Sequence, residues 1–93
     1  MPQMSELAEH RIKRLHMRSM RRGIKEMDLI LPAFARVHLA AMDDADLTLY
    51  EEMLNESDHD LYLWVSEQAQ PPDRYARFIT LIREQLAGGV RPA

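Results

Sequence analysis

The stretch that decides the fold is residues 24–38, which read IKEMDLILPAFARVH. Its apolar side chains recur every three or four residues, the spacing that places them on one buried face of an α-helix. They are Ile24, Met27, Leu31, Phe34 and His38. The positions expected to stay in water are Lys25, Asp28, Pro32 and Arg36. We predict a helix that begins near Arg22 or Gly23 and bends at Pro32, which lacks an N–H.

Two further helices flank this one in the sequence. The first is expected to start at a Ser5 N-cap, end near Arg18 and stay mostly exposed, because its apolar positions are sparse. Asp43 and Asp44 are expected to cap a third helix, since their carboxylates can accept hydrogen bonds from its first N–H groups. The buried face of this third helix should be Leu47, Tyr50, Met53 and Leu54.

The last third of the chain predicts two more helices. Ser57, followed three residues later by Asp60, gives a capping-box pattern for a fourth helix. A fifth should open at Asp73, after two prolines, and end at Gly88 and Gly89. The buried positions of the fourth helix should be Leu61, Trp64 and Val65. Those of the fifth should be Tyr75, Phe78, Ile79, Ile82 and Leu86.

These patterns predict an all-α protein, a compact five-helix bundle in a single domain. The 93 residues leave room for one domain only. No cysteine is present, so helix packing alone has to stabilise the bundle. We assign residues 1–93 to the domain, with an ordered core of about 5–87 and a flexible tail at 88–93.

No motif in the chain predicts catalysis, a bound cofactor or a bound metal. The four histidines, at positions 10, 16, 38 and 59, lack the spacing of a metal site. The glycines form neither of the usual phosphate-binding loops. No run of eighteen apolar residues exists, so we expect no membrane insertion. By elimination the chain is predicted to be a binding module without an active site.

The charge is distributed unevenly along the chain. Residues 1–42 carry a formal +4 and residues 43–93 a formal −7. One candidate function is therefore nucleic-acid binding through a basic first helix. The residues that would carry it are Arg11, Lys13, Arg14, Arg18, Arg21 and Arg22. The pI of about 5.7 and the lack of aromatic side chains among these residues argue against this alternative.

A glycine between basic residues marks the predicted start of the second helix. Arg22, Gly23 and Glu26 form an Arg-Gly-x-x-Glu pattern in which Arg22 and Glu26 lie four residues apart. The simpler interpretation is a surface ion pair beside a turn glycine, worth about 0.2–0.5 kcal/mol. The functional interpretation is a contact surface, because glycine permits close backbone approach or a positive φ, and arginine suits recognition of a carboxylate or phosphate.

The chain resembles the SdhE-type FAD assembly factors of succinate dehydrogenase. Their hallmark, Arg-Gly-x-x-Glu at the start of the second helix, is matched by Arg22, Gly23 and Glu26. Residues 58–64, DHDLYLW, resemble a second signature of that family, Asp-x-Asp-Leu/Ile-x-x-Trp. Further likeness lies in residues 27–35 and 49–56 and in the proline break at 71–72, so the resemblance covers roughly residues 10–86. Where many members carry a large aromatic residue, this chain has Met17 or Met20.

The resemblance implies a chaperone-like function. Members bind the flavoprotein subunit of succinate dehydrogenase and promote a covalent bond between a histidine of that subunit and the 8α-methyl group of FAD. The fumarate reductase flavoprotein is a second candidate partner. The chain itself is then expected to bind no FAD and no nucleic acid, and to be a monomer. A bacterial cytoplasm is the expected location, because the motif begins only 22 residues into the sequence.

The same resemblance assigns the candidate contact residues. The partner-binding set is Arg18, Arg21, Arg22, Gly23, Glu26 and Asp28. A possible second set is Asp58, Asp60 and Trp64. In this second set, Trp64 is better explained as a core residue beside Leu61 and Val65, and the two aspartates could instead cap the fourth helix.

Overall fold

Five α-helices form in the computed structural model, which describes residues 8–88 of the chain. They are α1 (Ala8–Arg18), α2 (Lys25–His38), α3 (Asp44–Leu54), α4 (Asp58–Val65) and α5 (Ala76–Ala87). Short 3₁₀ turns, Leu39–Ala41 and Asp73–Tyr75, follow α2 and precede α5. Residues 8–88 contain no strand. The prediction of an all-α five-helix bundle is confirmed, whereas Ser5, Gly89 and the predicted core and tail boundaries at 5 and 88–93 involve residues outside the described range.

Helix α2 begins later than predicted but buries the expected face. Its first residue is Lys25, and Ile24 occupies the N-cap position with extended backbone and no side-chain cap. Met27, Leu31 and Phe34 are fully buried, while Ile24 and His38 are half-buried at the two ends. The predicted stripe is therefore confirmed, whereas Pro32, which was expected to stay in water, is half-buried.

Asp28 was expected on the wet face of α2, and that expectation is wrong. The residue is half-buried, and its carboxylate accepts a hydrogen bond from the Arg22 backbone N–H at 2.8 Å. A side chain in the first turn of α2 thus binds the segment that leads into the helix. This contact fixes part of the geometry of the Arg-Gly turn.

Three aromatic rings from different helices meet at the centre of the bundle. Phe34 of α2 lies 5.7 Å from Tyr50 of α3 and 6.2 Å from Phe78 of α5, measured between ring centroids. The Tyr50 and Phe78 rings are 6.0 Å apart and meet edge to face. These distances fall in the range that aromatic pairs prefer. The three predicted stripes therefore converge on one core.

A buried pair of hydroxyls attaches the end of α1 to this core. Ser19 is fully buried; its Oγ donates to the Leu15 carbonyl at 2.8 Å and lies 2.6 Å from the Tyr50 Oη. With its own proton used on Leu15, Ser19 accepts from Tyr50. Burial raises the pKa of Tyr50 to about 12, so the phenol stays neutral and keeps this hydrogen bond.

The predicted caps of α3 and α4 are both present. Asp43 accepts a hydrogen bond from the Asp46 N–H at 2.9 Å, and Ser57 accepts one from the Asp60 N–H at 3.1 Å. Leu86 is the exception among the predicted core positions, with 42% of its surface exposed. It lies in the last turn of α5, where the described chain does not cover it. No helix within residues 8–88 has the length and apolar character needed to cross a bilayer.

Candidate functional site

The Arg-Gly turn connects α1 to α2 through residues 19–24. Arg21 is exposed and has a φ of 57°, a left-handed conformation that is uncommon for a residue with a side chain. Gly23, for which a positive φ was one expectation, has no such value. The left-handed residue of this turn is therefore Arg21, and Gly23 has to be explained by close approach.

Arg22 is directed into the protein and its guanidinium joins the turn to the α3–α4 connection. The Arg22 Nε donates to Asp58 Oδ1 at 2.6 Å. Its Nη2 donates to the Leu54 carbonyl at 2.9 Å, and its Nη1 donates to the Arg18 carbonyl at 3.2 Å. Only 12% of the Arg22 side chain is exposed, against 17% for Asp58. This side chain, which was predicted to contact a partner, holds two segments of its own chain together.

Gly23 approaches the same aspartate through its backbone. The Gly23 N–H donates to Asp58 Oδ2, so the two oxygens of one carboxylate bind adjacent residues of the turn. A Cβ at position 23 would lie 3.0 Å from that Oδ2. We call Arg22, Gly23, Asp28 and Asp58 the clasp. Close backbone approach was a correct reason for this glycine, but the approaching group belongs to the chain itself.

The Glu26 side chain is exposed and makes no hydrogen bond or ion pair with any residue between 8 and 88. The expected Arg22–Glu26 surface pair is absent, since Arg22 is engaged by Asp58. Glu26 lies one turn before Leu29 on the outer face of α2, and 68% of the Leu29 surface is exposed. Glu26 and Leu29 are therefore two exposed side chains on one face of α2 close to the Arg-Gly turn.

Three arginines of α1 contact residues of α3. Arg14 Nη1 donates to Glu51 at 2.6 Å, and Arg18 lies 3.4 Å from the same carboxylate. Arg11 donates to Thr48 at 2.6 Å. The hydrogen bond from Arg14 lowers the pKa of Glu51, helped by the positive charge of the neighbouring arginines. The arginines of α1 therefore lie around one carboxylate of α3, that of Glu51.

The predicted site residues thus separate into two groups. Arg21 and Glu26 are exposed, while Arg18, Arg22 and Asp28 bind other parts of the chain. Gly23 is exposed as well, but its N–H binds Asp58. Arg18 donates to Asn55 at 2.6 Å in addition to its contact with Glu51.

The second signature serves mainly the fold. Trp64 is 8% exposed and its ring lies 6.0 Å from that of Tyr75, which confirms the core interpretation. Ser57, not Asp58, caps α4, so the capping explanation of Asp58 is wrong: its carboxylate binds the Arg22–Gly23 turn. The Asp60 side chain makes no hydrogen bond or ion pair within the described residues. Asp58, a residue of the second signature, therefore binds two residues of the first motif.

Sequence reasoning missed the pairing of the two signatures. Arg22 and Asp58 are 36 positions apart, and helical spacing relates only residues on one element. The available signal was their opposite charge. Among residues 8–88, no three potential ligands come together in an arrangement that could hold a metal ion.

Comparison with curated proteins gives relatives that are named as assembly factors of succinate dehydrogenase. The chain is 38% identical over 73 residues to a protein of Meyerozyma guilliermondii named succinate dehydrogenase assembly factor 2, mitochondrial, covering 75% of this chain and 54% of that protein. A protein of the same name from Candida glabrata is 41% identical over 63 residues, covering 68% of this chain and 41% of the relative. The chain thus spans about half, or less, of the length of these relatives.

The names of these relatives contradict the expected location. Each is called mitochondrial and comes from a fungus, which points to mitochondria rather than to a bacterial cytoplasm. The expectation of a bacterial cytoplasm was therefore wrong. It depended on the short stretch before Arg22, and the length of that stretch carries no information about the compartment.

The family comparison covers the clasp and the core together. A family model described as flavinator of succinate dehydrogenase matches residues 13–86. That range contains the Arg-Gly turn, Glu26, the clasp aspartates and the buried Trp64. The chain belongs to the flavinator of succinate dehydrogenase family.

Proposed function

We propose that this protein binds the flavoprotein subunit of succinate dehydrogenase and promotes covalent attachment of FAD to that subunit. The family and the names of the relatives support a function in assembly of succinate dehydrogenase. The single observation that supports a contact at this surface is Glu26. Its exposed carboxylate has no intramolecular partner among the described residues and lies next to the clasp.

The proposed contact surface consists of the exposed residues of the turn and the outer face of α2. Arg21 offers a guanidinium, Glu26 a carboxylate, and Leu29 an apolar side chain. Charged groups of both signs beside an apolar group can make specific hydrogen bonds while burying surface. Arg22 and Asp28 support this surface from within the chain. The fumarate reductase flavoprotein is a second candidate partner, because the same surface would suit a related subunit.

The protein is proposed to act without an active site of its own. In the reaction implied by the family resemblance, a histidine of the flavoprotein and the 8α-methyl group of FAD form the bond. A factor that binds the bond-forming conformation of the flavoprotein more tightly than other conformations raises its population. Holding the histidine close to the flavin then supplies a high effective concentration.

We propose that FAD binds the partner and not this chain. The larger surface cavity described is about 260 Å³ and is lined by Glu67, Gln68, Ala69, Gln70 and Arg83. Pockets for drug-sized ligands measure roughly 300–1,000 Å³, and FAD is larger than most such ligands. The cavity also lies on a different part of the chain from the Arg-Gly turn.

The contacts between the arginines of α1 and the residues of α3 disfavour the nucleic-acid alternative. A basic helix attracts phosphates through unpaired cations. Here Arg11, Arg14 and Arg18 contact residues of α3, and Arg22 is engaged by Asp58. The carboxylates of Glu51 and Asp58 offset part of the positive charge of these four arginines, while Lys13 and Arg21 stay exposed.

The proposal is tested by mixing the protein with apo-flavoprotein and FAD and following covalent flavin by in-gel fluorescence after denaturation. We expect the fluorescence of the flavoprotein band to appear faster with the protein than without it. Equal rates with and without the protein would refute the proposal. A second experiment immobilises the protein and tests which molecules it retains. If it retains a fluorescently labelled oligonucleotide but not the flavoprotein, the nucleic-acid alternative is favoured.

A further inference from the structure

The N-cap position of α2 carries no side-chain cap. Ile24, at the N-cap, offers no side-chain acceptor to the first N–H groups of the helix. The preceding Arg21 sits in the less favourable left-handed conformation. A turn of this kind depends on contacts from elsewhere to keep one geometry.

Asp58 supplies these contacts from the opposite connection of the bundle. One carboxylate oxygen accepts from the Arg22 Nε and the other from the Gly23 N–H. Hydrogen bonds to an ionised carboxylate are shorter and stronger than neutral ones, and two of them fix an orientation as well as a distance. The position of Gly23 relative to α4 is therefore set by Asp58.

Glu26 follows Gly23 by three residues, in the first turn of α2. Any shift of the turn at Gly23 moves the start of the helix and the exposed carboxylate with it. Asp28 binds the Arg22 N–H from the same first turn, so turn and helix move together. By fixing the position of Gly23, Asp58 therefore also fixes the position of the Glu26 carboxylate.

We propose that Asp58 is a positioning residue for the partner-contact surface and that Gly23 is required because Asp58 must reach its N–H. This inference rests on the proposed function, since the surface it positions is the proposed contact with the flavoprotein. In this account Gly23 serves Asp58 and not the flavoprotein. A Cβ at position 23 would lie 3.0 Å from Oδ2 of Asp58, so the carboxylate would have to shift by a few tenths of an ångström while Arg22 holds its other oxygen. A side chain at position 23 should therefore impair activity.

The test is a double-mutant cycle on the rate of covalent flavinylation. Gly23→Ala and Asp58→Ala should each lower the rate about tenfold, the effect of losing a charged hydrogen bond. The double variant should be no slower than Asp58→Ala alone, because the oxygen that the new Cβ would meet is gone. If Gly23 instead touches the flavoprotein, the two losses multiply to about a hundredfold, which would overturn the inference.

Asp46→Ala is the control for breaking an aspartate–arginine pair elsewhere on the chain, in a pair that is more exposed than Arg22–Asp58. Asp46 also lies in the first turn of a helix and also pairs with an arginine, Arg77, but it is remote from the Arg-Gly turn in sequence and bonding. This variant should flavinylate at the wild-type rate. An equal loss in Asp46→Ala and Asp58→Ala would mean that any broken Asp–Arg pair has this effect, and would overturn the positioning role.

Amide hydrogen exchange of the unmutated protein tests the clasp without a variant. Gly23 is an exposed residue outside any helix, so without a partner its N–H would exchange quickly. Held by Asp58, the Gly23 amide should exchange at least about tenfold more slowly than an unbonded amide. Fast exchange at Gly23 would overturn the inference. A wild-type protein that fails to promote flavinylation would instead refute the proposed function and leave this exchange result unaffected.

Discussion

Replacing Arg22 with alanine should destabilise the fold, because this largely buried side chain joins the Arg-Gly turn to the ends of α3 and α4. Its guanidinium bonds Asp58 at 2.6 Å, the Leu54 carbonyl at 2.9 Å and the Arg18 carbonyl at 3.2 Å. Truncation leaves the Asp58 carboxylate without its cation and the two carbonyls without a donor.

The size of this effect follows from the burial of the pair. Removing one partner of a fully buried ion pair costs about 3–5 kcal/mol. Asp58 is 17% exposed, so water can reach part of the carboxylate after truncation. We therefore expect Arg22→Ala to lower the free energy of unfolding by about 2–3 kcal/mol, the lower part of the range for charged contacts.

Urea denaturation followed by far-UV circular dichroism measures this change. Arg77→Ala is the matched control, because Arg77 pairs with Asp46 but its side chain is 58% exposed. Exposed pairs contribute about 0.2–1 kcal/mol, so this variant should lie within about 1 kcal/mol of the wild type. If Arg22→Ala is no less stable than Arg77→Ala, the Arg22 side chain does not stabilise the fold, and the interpretation of Arg22 as a free contact residue is favoured.

Three further results are expected. Trp64→Ala should cost about 3–5 kcal/mol of stability, because it removes a buried aromatic side chain; a midpoint in urea equal to that of the wild type would contradict the core assignment. The pKa of Glu51 is lowered by Arg14, so the stability that Glu51 contributes is present above its usual pKa of 4.5 and is lost as the pH falls below it. Glu51→Gln should therefore be less stable than the wild type by about 1 kcal/mol at neutral pH, with the difference disappearing in acid; a constant difference would count against the pairing. The purified protein should lack the flavin absorption band, and stoichiometric yellow FAD would require a binding site on this chain.

The helices could be predicted because their signals are local. Asp43 and Ser57 cap the helices that follow them, and the spacing of apolar residues identified the buried face of α2 before any tertiary contact was known. Each of these features depends on residues within one or two turns of each other. The same reasoning failed for Leu86, because periodicity does not tell which part of a helix its neighbours cover.

The site could be predicted only in part. The motif located the right turn, but it could not show that Arg22 is directed inward and Glu26 outward. That distinction depends on Asp58, which tertiary folding brings from a helix 36 residues away. The late start of α2 has the same origin, since Asp58 and not a local cap engages the Gly23 N–H.

The most direct measurement compares Glu26→Ala with Glu9→Ala in the flavinylation assay. Both glutamates are exposed and lie in the first turn of a helix, so both variants should keep the wild-type stability to within about 1 kcal/mol. Truncating a charged contact that is buried in a complex costs about 2–5 kcal/mol of binding, which weakens it by well over tenfold. At a factor concentration near the dissociation constant, Glu26→Ala should therefore flavinylate at close to the rate measured without the protein, while Glu9→Ala matches the wild type. A folded Glu26→Ala variant that works at the wild-type rate would contradict the claim that this surface binds the flavoprotein.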